Sequence, residues 1–90
     1  MNNIAIATII NYRLAVRLRN GNKAHILGDV RAIEPNANFK EDPLNIYPLI
    51  GFSIDENNDI EYLQWDAQGV YIDEDTPNDN DILDLWEQPK

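Results

Sequence analysis

The sequence predicts an α+β fold that is mainly β: an antiparallel meander of about five strands with one short N-terminal helix. A small or SH3-like barrel is the closed form of the same prediction. Three observations lead there. Apolar and polar residues alternate with a period of two in several short runs. Those runs are rich in β-branched and aromatic residues. Asn, Asp, Gly and Pro punctuate the chain between them. Ninety residues suffice for one domain, 1–90, with one modest core.

The first apolar run, residues 4–10, fits two periodicities. As a strand, Ile4, Ile6, Thr8 and Ile10 alternate with Ala5, Ala7 and Ile9. As a helix, Ile6, Ile9 and Ile10 share a stripe, Asn2 or Asn3 caps it, and Asn11 stops it in the left-handed region. The two asparagine signals favour the helix.

Residues 13–27 predict a hairpin. Leu14, Val16 and Leu18 alternate with Arg13, Ala15, Arg17 and Arg19, and Asn20-Gly21 marks the turn. A two-residue loop would set Leu18 opposite Lys23. A three-residue loop sets Val16 opposite Ala24 and Leu14 opposite Ile26, which keeps one face apolar. The three-residue loop also places Gly21 where a left-handed residue is needed. In this register Arg17 faces Lys23 directly, with Arg13 and His25 on the same polar side. Like charges opposite one another destabilise a sheet, so an anion is required nearby. The chain's own acidic second half is the simplest source, and an external phosphate or carboxylate is the other.

Residues 34–45 read as a loop between Pro35 and Pro43, with Phe39 as its anchor. Residues 46–54 read as a core strand. Ile46, Pro48, Ile50, Phe52 and Ile54 lie on one face, and Tyr47, Leu49, Gly51 and Ser53 on the other. Pro48 points to an edge position or the start of pairing. Residues 60–65 form its partner, 70–72 a short further strand, and 82–86 a final apolar patch, as a strand or one helical turn. Trp86 is expected to pin the end of the chain to the sheet.

Composition limits function. Without cysteine there is no disulfide, thiolate metal site or cysteine nucleophile, and the cytoplasm is the expected compartment. No run approaches the length of a membrane span, and the apolar start lacks the basic flank of a signal peptide. The net charge of −9 is unevenly spread: residues 1–45 carry +2 and residues 46–90 carry −11. A chain with this field does not coat DNA non-specifically.

No catalytic constellation emerges, so a non-enzymatic role without cofactor or metal is expected. His25 is the only histidine. Asp55, Asn57 and Asp59 resemble the start of a calcium loop, but Ile60 stands where glycine is required and Asp66 where glutamate is. The candidate functional residues therefore fall into three sets. Arg13, Arg17, Arg19 and Lys23 form a candidate anion site, since arginine suits phosphate recognition. Tyr47 and Trp65 are candidate aromatic contacts. Asp73, Glu74, Asp75, Asp79 and Asp81 are a candidate acidic surface for a partner.

Several segments together resemble a known group. The run Val16-Arg17-Leu18-Arg19-Asn20-Gly21-Asn22-Lys23-Ala24-His25-Ile26 is followed by Tyr47-Pro48-Leu49-Ile50-Gly51. Trp65, Gly69-Val70-Tyr71 and Ile82-Leu83-Asp84-Leu85 come after it. This order resembles small β-rich proteins encoded in bacteriophage and prophage genomes. The chain departs from that pattern in Gln68 before Gly69, in the longer loop at 34–45 and in its more acidic end.

The resemblance implies a phage origin and action inside the bacterial cell. The expected function is then binding in phage–host conflict, with the acidic surface blocking a host or defence protein. The alternatives are sequestration of an anionic signalling nucleotide by the basic hairpin and an accessory or structural role in the phage. Homo-oligomer contact through an open sheet edge is compatible with each of them.

Overall fold

The computed structural model of the chain describes residues 5–38, 46–72 and 77–86. Helix α1 (Ile6–Asn11) leads into strands β1 (Ala15–Leu18) and β2 (Lys23–Asp29), a single helical turn α2 (Val30–Ile33), and strands β3 (Leu49–Ile54), β4 (Ile60–Trp65) and β5 (Ile82–Leu85). The strands make one antiparallel sheet in the order β4-β3-β2-β1-β5. Four of them form the expected meander. The fifth crosses over to pair with β1, so the sheet stays open between β4 and β5 rather than closing into a barrel.

The helix forms where expected, but with different ends. Ala5 occupies the N-cap with no side-chain hydrogen bond; Asn2 and Asn3, the expected caps, lie outside the described residues. At the other end Asn11 is helical and Arg13 takes the left-handed conformation, at φ 55°. The Arg13 N–H donates to the Ile10 carbonyl and the Leu14 N–H to the Ile9 carbonyl. These are the two bonds of a Schellman cap, a position usually held by glycine. Arginine there costs on the order of 1 kcal/mol in backbone strain.

The hairpin has the three-residue loop. Val16 pairs with Ala24 and Arg17 with Lys23, Gly21 has φ 92°, and its N–H donates to the Leu18 carbonyl at 2.9 Å. The apolar alternation thus set the register as the sequence implied. The single turn α2 is too short for a helical stripe to show in the sequence, and its start is capped by the Asp29 carboxylate accepting from the Arg31 N–H. Residues 70–72 form only a bridge, Trp65 to Tyr71, rather than a strand. The patch at 82–86 resolves as β5, and the Trp86 N–H bonds the Ala15 carbonyl, which does pin the chain to β1. Phe39 lies outside the described residues.

One face of the sheet is the core. Val16 and Leu18 of β1, Ala24 and Ile26 of β2, Leu49 of β3, Leu63 and Trp65 of β4 and Ile82 of β5 pack there, closed over by Ile9 of α1. On β3 the inward set is Leu49, Gly51 and Ser53. The more apolar set, Ile50, Phe52 and Ile54, lies on the opposite face and is half-buried. The reason is volume. Trp65 is fully buried, pairs with Leu49 and lies against Gly51, where no side chain would fit beneath the indole.

Candidate functional site

The outer sheet face is where the chemistry-bearing side chains collect. The pairing registers place Ile60, Ile54, Lys23, Arg17 and Asp84 in one row across all five strands. The next row runs Tyr62, Phe52, His25 and Ala15. The face thus passes from an apolar end over β4 and β3 to a charged end over β2, β1 and β5. At the apolar end Tyr62 is 81% exposed and Ile60 58%.

The charged end neutralises itself. Arg17 sits between Lys23 and Asp84, and its Nε donates to Asp84 Oδ1 at 3.1 Å. The Lys23 ammonium lies 5.7 Å from the centre of the Trp86 ring, within cation–π range. Arg19 donates from Nε to the Asn78 carbonyl at 3.2 Å and places Nη2 3.7 Å from Asp81. The acidic second half therefore supplies the anion that the Arg17–Lys23 pair demands. Of the four candidate anion-site cations, Arg13 stands apart. It is exposed at the end of α1, and no carboxylate pairs with it among the described residues.

The candidate aromatics also separate. Trp65 is a core residue at 0% exposure, with its indole N–H donating to the Asn80 carbonyl at 2.8 Å. It is therefore not presented to a partner. Tyr47 is half-buried just before β3, and its carbonyl accepts from Gln64 Nε2. On the sheet the aromatic that does face solvent is Tyr62; Tyr12, just after α1, is also exposed. The parity of Tyr62, opposite Leu63 and Trp65 on β4, was the available signal, once the inward face of that strand is known.

Many of the acids build turns. Asp55 Oδ1 accepts from the Asn57 and Asp59 N–H groups, and Asp66 Oδ1 from those of Gln68 and Val70. These are Asx turns, in which the carboxylate replaces a backbone acceptor. Asp81 does the same over a longer distance. It is 6% exposed and accepts from the Tyr71 N–H through Oδ1 and the Asn78 N–H through Oδ2. It therefore belongs to the framework rather than to an exposed acidic surface. Asp79 is exposed; Asp73, Glu74 and Asp75 lie outside the described residues. Exposed acids do cluster at the β3–β4 turn and beyond it: Glu56, Asp59 and Glu61.

Asp81→Ala is expected to remove both acceptors and leave two N–H groups and Arg19 without a carboxylate. The loss is about 2–4 kcal/mol, read as a melting temperature lower by roughly 10–25 °C. Asp81→Asn keeps one oxygen and should lose about half as much.

His25 packs its ring 5.4 Å from that of Phe52. Burial first, and then the charge of Lys23, holds its pKa below the ordinary 6.5, so the imidazole is neutral at pH 7. Because the folded value is depressed, its stabilising contribution is present above 6.5 and is lost as pH falls through the folded value.

The chain is thus a small, mainly β domain: an open antiparallel sheet with one packed face and one face that leaves apolar and aromatic side chains uncovered. No described helix is long and apolar enough to cross a membrane. Residues 14–88 match the family model described as Haemophilus phage HP1 protein YO09, and the chain belongs to that family of phage proteins. The comparisons with curated proteins and with solved structures returned no match.

Proposed function

We propose that the chain is a non-enzymatic binding protein that acts in phage–host conflict by docking onto a basic surface of a host or defence protein. The observation that carries this reading is the apolar end of the outer sheet face. There Tyr62, Ile60, Ile54 and Phe52 lie side by side, and the adjoining β3–β4 turn carries the exposed acids Glu56 and Asp59. An aromatic and aliphatic centre with a charged rim is the anatomy of a protein interface. The rim is acidic on the side of the β3–β4 turn, Lys23 stands beside Ile54 on the other side, and the whole chain carries −9, so a complementary partner surface is predominantly basic. Proteins that handle nucleic acid present such surfaces. Membership of a phage family supports the setting inside an infected cell.

The hairpin version of nucleotide sequestration loses support, because Arg17, Arg19 and Lys23 already have partners within the chain.

The test is capture of a partner from host lysate by the full-length chain, compared with two variants. Tyr62→Asp should abolish capture of the partner. Glu56→Gln and Asp59→Asn together should weaken it at least tenfold, as loss of charge complementarity does. The captured protein should lose its own activity on binding the wild type. No capture at physiological salt, or capture indifferent to both variants, overturns the proposal.

A further inference from the structure

A second site lies at the other end of the outer face. β1 pairs with β2 only as far as Ala15 and His25, while β2 runs on to Asp29. Helix α1 takes the place of the missing strand. The gap is a cleft of about 460 Å³ lined by Ile10, Arg13, Leu14, His25, Leu27 and Phe52. That volume lies within the range of small-molecule sites, roughly 300–1,000 Å³.

Its lining has two parts. Ile10, Leu14 and Leu27 are aliphatic, and Phe52 and His25 present two rings tilted by 33°. The single full charge is Arg13, exposed and without an ion pair among the described residues. The backbone at Arg13 gives an independent reason to look here. It holds the left-handed position of a Schellman cap at φ 55°, where glycine is the unstrained choice. The other left-handed non-glycine residue, Asn58, is of the type that tolerates that region. Arginine is not. A strained residue that lines an apolar, ring-walled cleft and brings it its one full charge is the pattern of a binding site.

We propose that this cleft binds a small molecule carrying one anionic group beside a flat ring. The Arg13 guanidinium takes the anion, and Phe52, His25 and Leu27 take the ring. A guanidinium holds carboxylate and phosphate through the same paired hydrogen bonds, so the anion can be either. This site does not depend on the docking reading. It shares Phe52 with the docking face but is otherwise built from α1, Arg13, Leu14 and the β2 edge, and neither Tyr62 nor the acids of the β3–β4 turn contribute to it.

The test uses the full chain with two probes, adenosine 5′-monophosphate for a phosphate and indole-3-acetate for a carboxylate. Adenosine and inorganic phosphate serve as half-ligand controls. Because His25 is the only histidine, its imidazole proton signals report the cleft without ambiguity in an NMR titration. At least one probe should saturate with a dissociation constant below about 1 mM, and its half-ligand controls should bind at least tenfold more weakly. Which probe saturates identifies the anion.

The decisive variant is Arg13→Gly, which relieves the strained backbone while removing the charge. It should raise the melting temperature by a few degrees and weaken the probe at least tenfold. A purely structural arginine would give neither the loss of binding nor a more stable protein. Tyr62→Asp should leave probe binding unchanged, which separates this site from the docking face. Failure of both probes to saturate, equal binding of adenosine and its monophosphate, or full binding by Arg13→Gly overturns the proposal.

Discussion

Gly51→Ala is expected to destroy the fold. A methyl group at this position would overlap the His25 carbonyl oxygen on β2 and lie 2.9 Å from Trp65 Cζ3. The first obstacle is backbone, so no side-chain rotation relieves it. β2 and β3 would have to separate next to the bulge between Ile26 and Gly28, where their register already shifts. Ordinary overpacking costs about 1–3 kcal/mol, and a clash with fixed backbone exceeds that. A domain of this length holds roughly 5–13 kcal/mol in total. The expected result is a chain with the circular dichroism of an unfolded or molten state at 25 °C. A cooperative melt within a few degrees of wild type would show that the strands can part without loss.

Trp65→Ala should be nearly as damaging. Trp65 is the largest fully buried side chain, and its indole N–H anchors the 77–82 segment through the Asn80 carbonyl. Truncating a buried tryptophan costs about 3–5 kcal/mol, and the lost hydrogen bond adds about 1 kcal/mol. The melting temperature should fall by roughly 15–30 °C. Trp65→Phe separates the two contributions, since it fills most of the volume without the N–H. It should lose only part of that amount. If Trp65→Ala melted like the wild type, the core would have to be organised around some other residue.

These two positions also show where sequence reading ended. The parity of β3 offers two apolar sets, Leu49, Gly51 and Ser53 against Ile50, Phe52 and Ile54. Hydrophobicity alone ranks the second set as core. Packing reverses the ranking, because Trp65 on β4 extends over Gly51, its diagonal neighbour, and leaves no room there for a side chain. That is a statement about the volumes of two strands at once, which no single run of residues contains.

The hairpin was different. The alternation on both arms and the position of Gly21 are local, and only one register left a continuous apolar face. The like charges of Arg17 and Lys23 followed from that register and implied an anion. That the anion is Asp84, 67 residues away, is a tertiary fact.

The candidate sites divide along the same line. Asp55 and Asp66 hold turns two and four residues ahead of themselves, a pattern visible in the chain. Asp81 accepts from Tyr71, ten residues back, and nothing local marks it as buried. Tyr62 became the exposed aromatic of the sheet only when Trp65, three positions on and of opposite parity, proved to be the core. The Arg13 cleft depends on β1 being shorter than β2 and on α1 filling the gap, neither of which a strand pattern specifies.

By itself, then, the sequence determined a β-rich domain with a short leading helix, the hairpin register, the turns and the charge asymmetry. Each of these depends on interactions within a few residues or on composition. The tertiary structure alone decided which face of the sheet is core, which charges are paired, and which side chains remain for a partner. Those outcomes depend on the volumes and charges of strands that meet across the sheet, and chain order does not encode which of them will meet.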